Sequence, residues 1–225
     1  MARTLMVARP GRVAYEQAVR WQEALVDGRL GPAGTDCLLL LEHPPVYTLG
    51  RGADPRFVTA GTAGDIPVVR TSRGGQVTYH GPGQLVGYPI LDLRMHRQDV
   101  RWYVHELEQT LIDALGTFGI AGGRAPGLPG VWIDGRRKIA SIGIAIRRWV
   151  SWHGFAVNVS PDLDGFAGIT PCGIDGVQMT SVGREGGPAD VDVVADAVLA
   201  AFMRRFRYDD VRALATEASS AEVSA

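Results

Sequence analysis

The strongest constraint on the fold is a continuous apolar run, CLLLLEH at residues 37–43, which ends at Pro44 and Pro45. A run of this length without polar alternation is typical of a strand buried at the centre of a sheet. Cys37 begins the run, so we expect its thiol to fill core space rather than to react. The chain is therefore predicted to fold around a central buried strand.

Helical and strand-like patterns alternate along the rest of the chain. Apolar residues at helical spacing predict helices over 11–28, 99–118 and 190–207, with Asp99 as an N-cap and Asp190 at the start of the third. Strand-like segments are predicted at 46–50, 66–72, 76–80, 84–93, 131–135, 137–148 and 149–160. This order predicts an α/β (or α+β) fold in a single domain over residues 1–216, with a disordered tail at 217–225.

Composition and charge exclude several classes of function. The 225 residues carry a net charge of −1 and are 46% hydrophobic, which gives no general attraction to nucleic acid or to an anionic membrane. The N-terminus lacks an apolar run of signal-peptide length, and no run of 18 apolar residues occurs. Two cysteines make no disulfide framework. We expect a cytoplasmic protein with no nucleic-acid or membrane partner.

Lys138 is the only lysine in the chain, against 22 arginines. Arginine stays protonated in proteins, whereas an ammonium group can give up its proton and act as an acid or base. A single lysine in this background suggests a position where a guanidinium cannot serve. The alternative is that one basic position out of 23 has remained lysine by chance.

Five arginines lie near Lys138 in the sequence, at positions 124, 136, 137, 147 and 148. Such a cluster would attract an acidic partner to this part of the molecule. The alternative is that these are solvated charges at hairpin ends.

Residues 73–84, RGGQVTYHGPGQ, place glycines and prolines around a single histidine, His80. Glycines let the backbone approach a ligand closely. The segment lacks the lysine of a phosphate-binding loop and does not open a helix as a dinucleotide-binding fingerprint does. Plain turns between strands, with His80 as a packed residue, remain the alternative. The other histidines have no metal-ligand spacing, so no metal site is expected.

Cys172 lies in a Pro-Cys-Gly context outside any apolar periodic segment, which favours an accessible thiol. A thiol is largely protonated at neutral pH, and a nearby ammonium favours the reactive thiolate. Lys138 would supply either that field or an amine that takes the proton. The distance between the two residues in the sequence does not decide whether they meet in space.

Four segments in this order resemble the octanoyltransferases of lipoate biosynthesis. They are LEHPPVYTLGR at 41–51, RGGQVTYHGPGQLVGYPI at 73–90, GVWIDGRRKIASIGI at 130–144, and HGFAVNVSPDLDGFAGITPCGI at 153–174. The resemblance spans about residues 36 to 183, and no functional position departs from it.

The resemblance implies the fold of the biotin/lipoate ligase and transferase superfamily, a mixed sheet flanked by helices. It also implies Cys172 as the nucleophile and Lys138 as the residue that tunes it. The substrate-binding residues that it implies are Arg73, Gly74, Gly75, Gln76, Val77, Thr78, Tyr79, His80, Ser141, Ile142, Gly143, Gly154, Phe155 and Ala156.

The implied reaction needs no cofactor. Cys172 would take the octanoyl group from octanoyl-acyl carrier protein as a thioester, an exchange that costs little free energy. The acceptors would be lysines on the lipoyl domains of 2-oxoacid dehydrogenases and on the glycine cleavage H protein. Gly173 N–H is a candidate oxyanion donor, and His80 is a candidate to orient or protonate a thioester atom. We expect a monomer.

Two other functions remain open from the sequence. An ATP-dependent lipoate or biotin ligase of the same superfamily would also use a binding lysine, but it would not need Cys172. A non-catalytic acyl-binding module would have no use for a cysteine and lysine pair.

Overall fold

The computed structural model describes residues 3–31, 34–58, 66–160, 162–173 and 176–215, with the side chain of Cys172 excepted. Within these ranges the helices are α1 (Tyr15–Leu30), α2 (Val100–Gly116) and α3 (Val191–Phe206), and the strands are β1 (Thr4–Ala8), β2 (Cys37–Leu41), β3 (Val46–Leu49), β4 (Val68–Arg70), β5 (Val77–His80), β6 (Gln84–Ile90), β7 (Gly122–Ala125), β8 (Leu128–Ile133), β9 (Arg137–Arg147), β10 (Val150–Asn158), β11 (Gln178–Met179) and β12 (Asp210–Ala213). The predicted tail at 217–225 lies outside the described residues.

The strands form a large mixed sheet and a small one. The large sheet has the order β12-β1-β2-β6-β10-β9-β8-β7, with β11 beside β9, and the small sheet has the order β4-β3-β5. In the large sheet, β1 pairs with β2 and β12 in parallel, whereas β6, β9 and β10 pair antiparallel. The predicted α/β fold with a mixed sheet flanked by helices is confirmed.

Strand β2 is buried on both faces, as its continuous apolar sequence predicts. Leu38 and Leu40 point to the core under α2 and α3, while Leu39 and Leu41 point to the core under α1. Side chains alternate across a strand, so a strand between two helical layers needs apolar residues at every position. Cys37 belongs to the core on the α1 side and is 5% exposed.

Helix α1 begins and ends later than its sequence pattern predicts. Val13 is held beside the end of β2, where its N–H donates to the carbonyl of Glu42 at 2.9 Å and its carbonyl lies 2.7 Å from Nδ1 of His43. The helix therefore starts at Tyr15. It continues past Gly28 to Leu30, because the carbonyl of Gly28 still accepts a hydrogen bond at the C-terminus of the helix.

The two other helices begin as predicted. Asp99 accepts the N–H of Trp102 at 3.0 Å, and Asp190 accepts the N–H of Asp192 at 2.8 Å, which satisfies donors that an α-helix leaves unpaired at its start. No helix in the described ranges is long and apolar enough to cross a membrane. The compartment stays a prediction.

Several strand predictions need correction. The segment 66–72 is a strand only at Val68–Arg70, and 84–93 ends at Ile90 because Asp92 caps the short 3-10 turn that follows. Strands β1, β7, β11 and β12 were not predicted. Strand β7, with the sequence GGRA, has no apolar alternation and forms because it pairs with β8.

The hairpin between β9 and β10 has an unusual turn. Arg148 and Trp149 connect the strands, and both have positive φ, 50° and 67°. Two-residue hairpin turns with positive φ at both positions favour asparagine or glycine, because most residues with a Cβ are disfavoured in the left-handed region.

We expect Arg148→Gly to stabilise the fold by about 1 kcal/mol, because it removes a left-handed penalty of ~1–2 kcal/mol while adding some chain entropy to the unfolded state. Arg148 is exposed, so little packing is lost. A thermal melt would show a rise of about 2–4 °C. Arg148→Ala is the control, since it removes the same charge but keeps Cβ. A glycine variant no more stable than the alanine variant would contradict the interpretation.

Candidate active site

A cavity of about 250 Å³ opens where β5, β6, β9 and β10 meet α1 and residues 127–129. It is lined by all of the predicted substrate-binding residues except Gly74 and Tyr79, and by Lys138. Gly74 instead donates its N–H to the carbonyl of Ile144 at 2.8 Å. The Tyr79 ring packs 5.4 Å from the ring of Phe166, in the core of the small sheet. That the lining residues bind a substrate stays a prediction.

Strand pairing brings two of the predicted segments together. Ser141, Ile142 and Gly143 on β9 pair directly with Ala156, Phe155 and Gly154 on β10. A Cβ on Gly143 would lie 3.1 Å from Cδ of Arg73, and a Cβ on Gly154 would lie 2.2 Å from the carbonyl oxygen of Gly87. The glycine pair therefore lets neighbouring backbone and Arg73 approach this part of the sheet.

Arg73 ties the small sheet to the cavity wall. Its Nη2 donates to the carbonyl of Thr48 at 2.5 Å and to the Thr48 hydroxyl at 2.8 Å, while Nη1 donates to the carbonyl of Gly74 at 3.0 Å. The side chain is 7% exposed. A planar guanidinium can serve several acceptors at once, which suits this role.

Lys138 is buried in the wall of the cavity and is 3% exposed. Its Nζ lies 4.9 Å from the centre of the Trp132 ring, whose face attracts a cation. The indole N–H of Trp132 donates to the carbonyl of Leu128 at 3.1 Å, which fixes the orientation of the ring. The lysine that is unique in the sequence therefore occupies a specific, enclosed place in the fold.

Gly130 makes room for the lysine. It has φ of +122°, and a Cβ there would lie 2.9 Å from Cε of Lys138 and 2.4 Å from the carbonyl oxygen of Ala140. Glu108 holds this backbone in place, because its Oε1 accepts the N–H of Gly130 at 3.0 Å while its Oε2 accepts Nε of Arg124 at 2.8 Å.

The two cysteines differ in their surroundings. Burial, with Asp36 beside it, raises the pKa of the Cys37 thiol to about 12, so Cys37 stays protonated and unreactive at neutral pH. Cys172 belongs to a 3-10 turn, Pro171–Gly173, that packs against β5. The prediction for its thiol concerns a side chain outside the described part of the chain.

The turn that carries Cys172 borders the cavity. A Cβ on Gly173 would lie 3.2 Å from Cγ of Gln76, which lines the cavity. The N–H of Gly173 donates to the carbonyl of Thr170 at 3.0 Å. It is therefore engaged within the turn in this conformation, and its suggested role as an oxyanion donor stays a prediction.

The arginines expected near Lys138 do not form one patch. Arg137 and Arg147 are at opposite ends of β9, about 34 Å apart along a strand that rises ~3.4 Å per residue. Arg124 pairs with Glu108, Arg137 pairs with Glu185 at 2.9 Å, and Arg147 pairs with Asp27.

Comparison with known proteins places the chain in a family. Residues 14–203 match the family model of the lipoyl protein ligase A/B catalytic domain. The octanoyltransferase of Gloeobacter violaceus is 56% identical over 175 residues, which is 77% of this chain and 78% of its own length. That of Synechococcus elongatus is 47% identical over 216 residues, which is 92% of this chain and 90% of its own length. The chain belongs to the octanoyltransferase family. It is accordingly a transferase.

Solved structures agree on the fold. A lipoate-protein ligase A bound with ATP has a TM-score of 0.75 at 16% identity, covering 98% of this chain and 92% of its own. A bipartite lipoate protein ligase of Thermoplasma acidophilum has a TM-score of 0.74 at 18% identity, covering 97% and 89%. These likenesses confirm the predicted superfamily fold, and at such identities they show the fold alone.

Sequence reasoning missed three polar residues of the cavity wall, Tyr15, Tyr88 and His153. In the sequence, Tyr15 fits the apolar pattern of α1 and Tyr88 fits the apolar pattern of β6, so neither is marked as a site residue. His153 has φ of 54°, and its Nε2 lies 3.0 Å from the Ser72 hydroxyl. Burial, with Arg73 nearby, lowers the pKa of His153 to about 3, so it is neutral at physiological pH. No sequence signal marks a backbone conformation of this kind.

We expect Gly130→Ala to reduce catalytic activity by more than its effect on stability accounts for. The new methyl group collides with rigid backbone at Ala140 and with Cε of Lys138, so the ammonium is displaced. Gly135→Ala is a matched control: Gly135 also has positive φ, 66°, but nothing lies within 4 Å of its Cβ position. Thermal melts and rates of acyl transfer for both variants would test this. Equal rates in the two folded variants would contradict it.

Proposed function

We propose that this chain transfers an octanoyl group from octanoyl-acyl carrier protein to a lysine ε-amine, through a thioester on Cys172. The acceptors are lipoyl domains of 2-oxoacid dehydrogenases and the glycine cleavage H protein. The product is the octanoylated domain, which is the first step of protein lipoylation from an endogenous acyl donor. Membership of the octanoyltransferase family supports this assignment.

One observation carries the proposal: the only lysine of the chain lines the same cavity that the Cys172 turn borders. Lys138 contributes to the wall from β9, and the turn meets the cavity at Gln76, just before β5. The segments 141–143 and 154–156 complete the wall between them. An acyl chain in this cavity would lie against Ile142, Phe155 and Val86, which are apolar.

The reaction divides into two balanced steps. In the first, the Cys172 thiolate attacks the thioester carbonyl, a new C–S bond forms, and the phosphopantetheine thiolate leaves and takes a proton. In the second, the acceptor amine attacks, the C–N bond forms, and Cys172 leaves as a thiolate. Lys138 gives a proton in the first step and receives one in the second. Both the donor and the intermediate are thioesters, so the transfer needs no ATP.

The deciding experiment is intact mass measurement after incubation with octanoyl-acyl carrier protein. A covalent octanoyl group that hydroxylamine removes is expected without ATP, followed by transfer to a lipoyl domain. Acyl transfer that requires ATP would favour a ligase instead. Binding without any covalent mass increase would favour a non-catalytic acyl-binding module.

The cysteine pair provides a direct test of the nucleophile. We expect Cys172→Ala to abolish both acyl-enzyme formation and turnover. We expect Cys37→Ala to retain both and to lower only thermal stability, because Cys37 packs in the core on the α1 side. Mass spectrometry and a turnover assay on the two folded variants would check this. Retained activity in Cys172→Ala would contradict the assignment of Cys172 as the nucleophile.

Lys138→Arg tests whether the lysine must move a proton. Arginine keeps the positive charge, so we expect the Cys172 thiol to remain reactive toward iodoacetamide. Arginine does not release its proton, so acyl transfer is expected to slow at least about tenfold, equal to about 1.4 kcal/mol in the barrier. Lys138→Met is the companion variant, in which thiol reactivity is also expected to fall. Turnover near that of the unmodified chain in Lys138→Arg would mean that the lysine acts only as a charge.

A further inference from the structure

His80 is the titratable residue of the cavity wall whose surroundings specify its state most fully. It ends β5, the strand against which the Cys172 turn packs. It lines the cavity and is 6% exposed. Its Nδ1 lies 2.7 Å from Oε1 of Gln84, which leaves Nε2 as the ring nitrogen for a ligand.

The backbone carbonyl of Thr180 determines which way the side-chain amides of Asn158 and Gln84 are oriented. The carbonyl of Thr180 only accepts hydrogen bonds, so the atom of Asn158 that lies 2.9 Å away is the donor Nδ2. Oδ1 of Asn158 then accepts Nε2 of Gln84 at 2.9 Å. The same Nε2 donates to the carbonyl of Tyr79 at 3.2 Å. Gln84 must therefore present its oxygen, which only accepts, to His80.

Because these residues are buried, the side-chain amides of Asn158 and Gln84 are held in this orientation. Thr180, Asn158 and Gln84 are each 5% exposed or less. Turning either amide around would place donor against donor and acceptor against acceptor, in a place where bulk water does not compensate. We call this chain of three residues the amide relay.

The amide relay determines where the proton of His80 lies. Because Gln84 offers an acceptor, Nδ1 carries the proton, and Nε2 of the neutral ring keeps a bare lone pair. Burial, together with His43 and Arg73, lowers the pKa of His80 to about 3, so the ring is neutral at physiological pH. A bare Nε2 cannot protonate a thioester atom, which argues against that candidate role.

The lone pair on Nε2 of His80 can accept a hydrogen bond, and of the reacting groups only the incoming amine can donate one. A thioester carbonyl and a thiolate offer only lone pairs, so neither gains from contact with Nε2. The incoming amine carries N–H groups. One N–H bonded to Nε2 would leave the nitrogen lone pair free to point at the acyl carbon.

Building on the proposed function, we propose that His80 Nε2 accepts a hydrogen bond from the acceptor lysine amine, and that the amide relay holds it in the required tautomer. His80 is thus a catalytic residue of the second step, and Gln84 and Asn158 are positioning residues. The C–N bond forms as the C–S bond of the acyl-enzyme breaks, Cys172 leaves as a thiolate, and the surplus proton of the amine passes to Lys138.

The tautomer can be observed without any acyl-transfer assay. Long-range proton–nitrogen NMR spectra of the protein labelled with ¹⁵N-histidine report which ring nitrogen carries hydrogen. We expect the Nδ1–H form for His80, identified by the signal that disappears in His80→Asn. His43 is an internal reference for the same form, since its Nδ1 lies 2.7 Å from the carbonyl of Val13. An Nε2–H form of His80 would overturn the amide relay.

A matched pair of variants tests the role of Nε2. His80→Gln places an acceptor near the position of Nε2, whereas His80→Asn keeps an N–H group near Nδ1 and has no acceptor further out. In single-turnover experiments we expect acyl-enzyme formation to be affected less than the second step in both variants. We expect His80→Asn to slow transfer to the lipoyl domain at least tenfold and His80→Gln to recover part of that loss. Equal losses, or losses confined to acyl-enzyme formation, would overturn the role.

Gln84→Met tests the positioning role of Gln84. Methionine has a similar length but offers Nδ1 no strong acceptor, so the His80 ring is no longer held in one tautomer. We expect the Nε2–H form to appear in the NMR spectra and transfer to the lipoyl domain to slow, with acyl-enzyme formation affected less. A loss of stability alone would not change the tautomer. A His80 ring that stays entirely in the Nδ1–H form would contradict the role of Gln84.

The outcomes for the two proposals are separate. If the unmodified chain forms no acyl-enzyme, the proposed function fails, while the NMR spectra still decide whether the amide relay fixes His80. If the acyl-enzyme forms and the His80 pair shows no difference in the second step, only the role of His80 fails.

Discussion

The antiparallel pairing of β9 with β10 is the constraint on which the cavity depends. Its register sets Ser141 opposite Ala156 and Gly143 opposite Gly154, so two segments far apart in the sequence form one continuous wall. A shift of one residue would turn every side chain of one strand to the opposite face. Lys138, on the same strand, would then leave the cavity. The long hairpin therefore fixes the position of Lys138 in the cavity wall as well as the order of the sheet.

The sequence predicted those features that local pattern controls. The apolar run at 37–43 identified the central strand, because a strand covered on both faces must be apolar throughout. Asp99 and Asp190 identified two helix starts, because a side-chain oxygen there serves unpaired N–H groups. The rarity of lysine singled out Lys138, and the structure places it in the cavity wall, although its role in the reaction stays a prediction.

Features that depend on distant contacts were not predictable. The start of α1 is delayed because Val13 pairs with the end of β2, and β7 exists only because β8 lies beside it. The positive φ of His153 and the space that Gly130 leaves for Lys138 are set by tertiary packing. The tautomer of His80 depends on Thr180, a hundred positions further along the chain. Gly-rich motifs indicate that backbones approach one another, but not which groups they bring together.

Arg73 and Lys138 are two buried cations of the cavity wall, and their surroundings differ. The buried guanidinium of Arg73 donates hydrogen bonds to the carbonyl and hydroxyl of Thr48 and to the carbonyl of Gly74. A planar, permanently charged group with several donors suits this position. At Lys138 the space is narrow, between the Trp132 ring and a glycine that has no room for a methyl group. A guanidinium is broader than an ammonium and cannot release its proton. The shape of this space therefore favours lysine, and the proposed proton transfer would favour it for a second, independent reason.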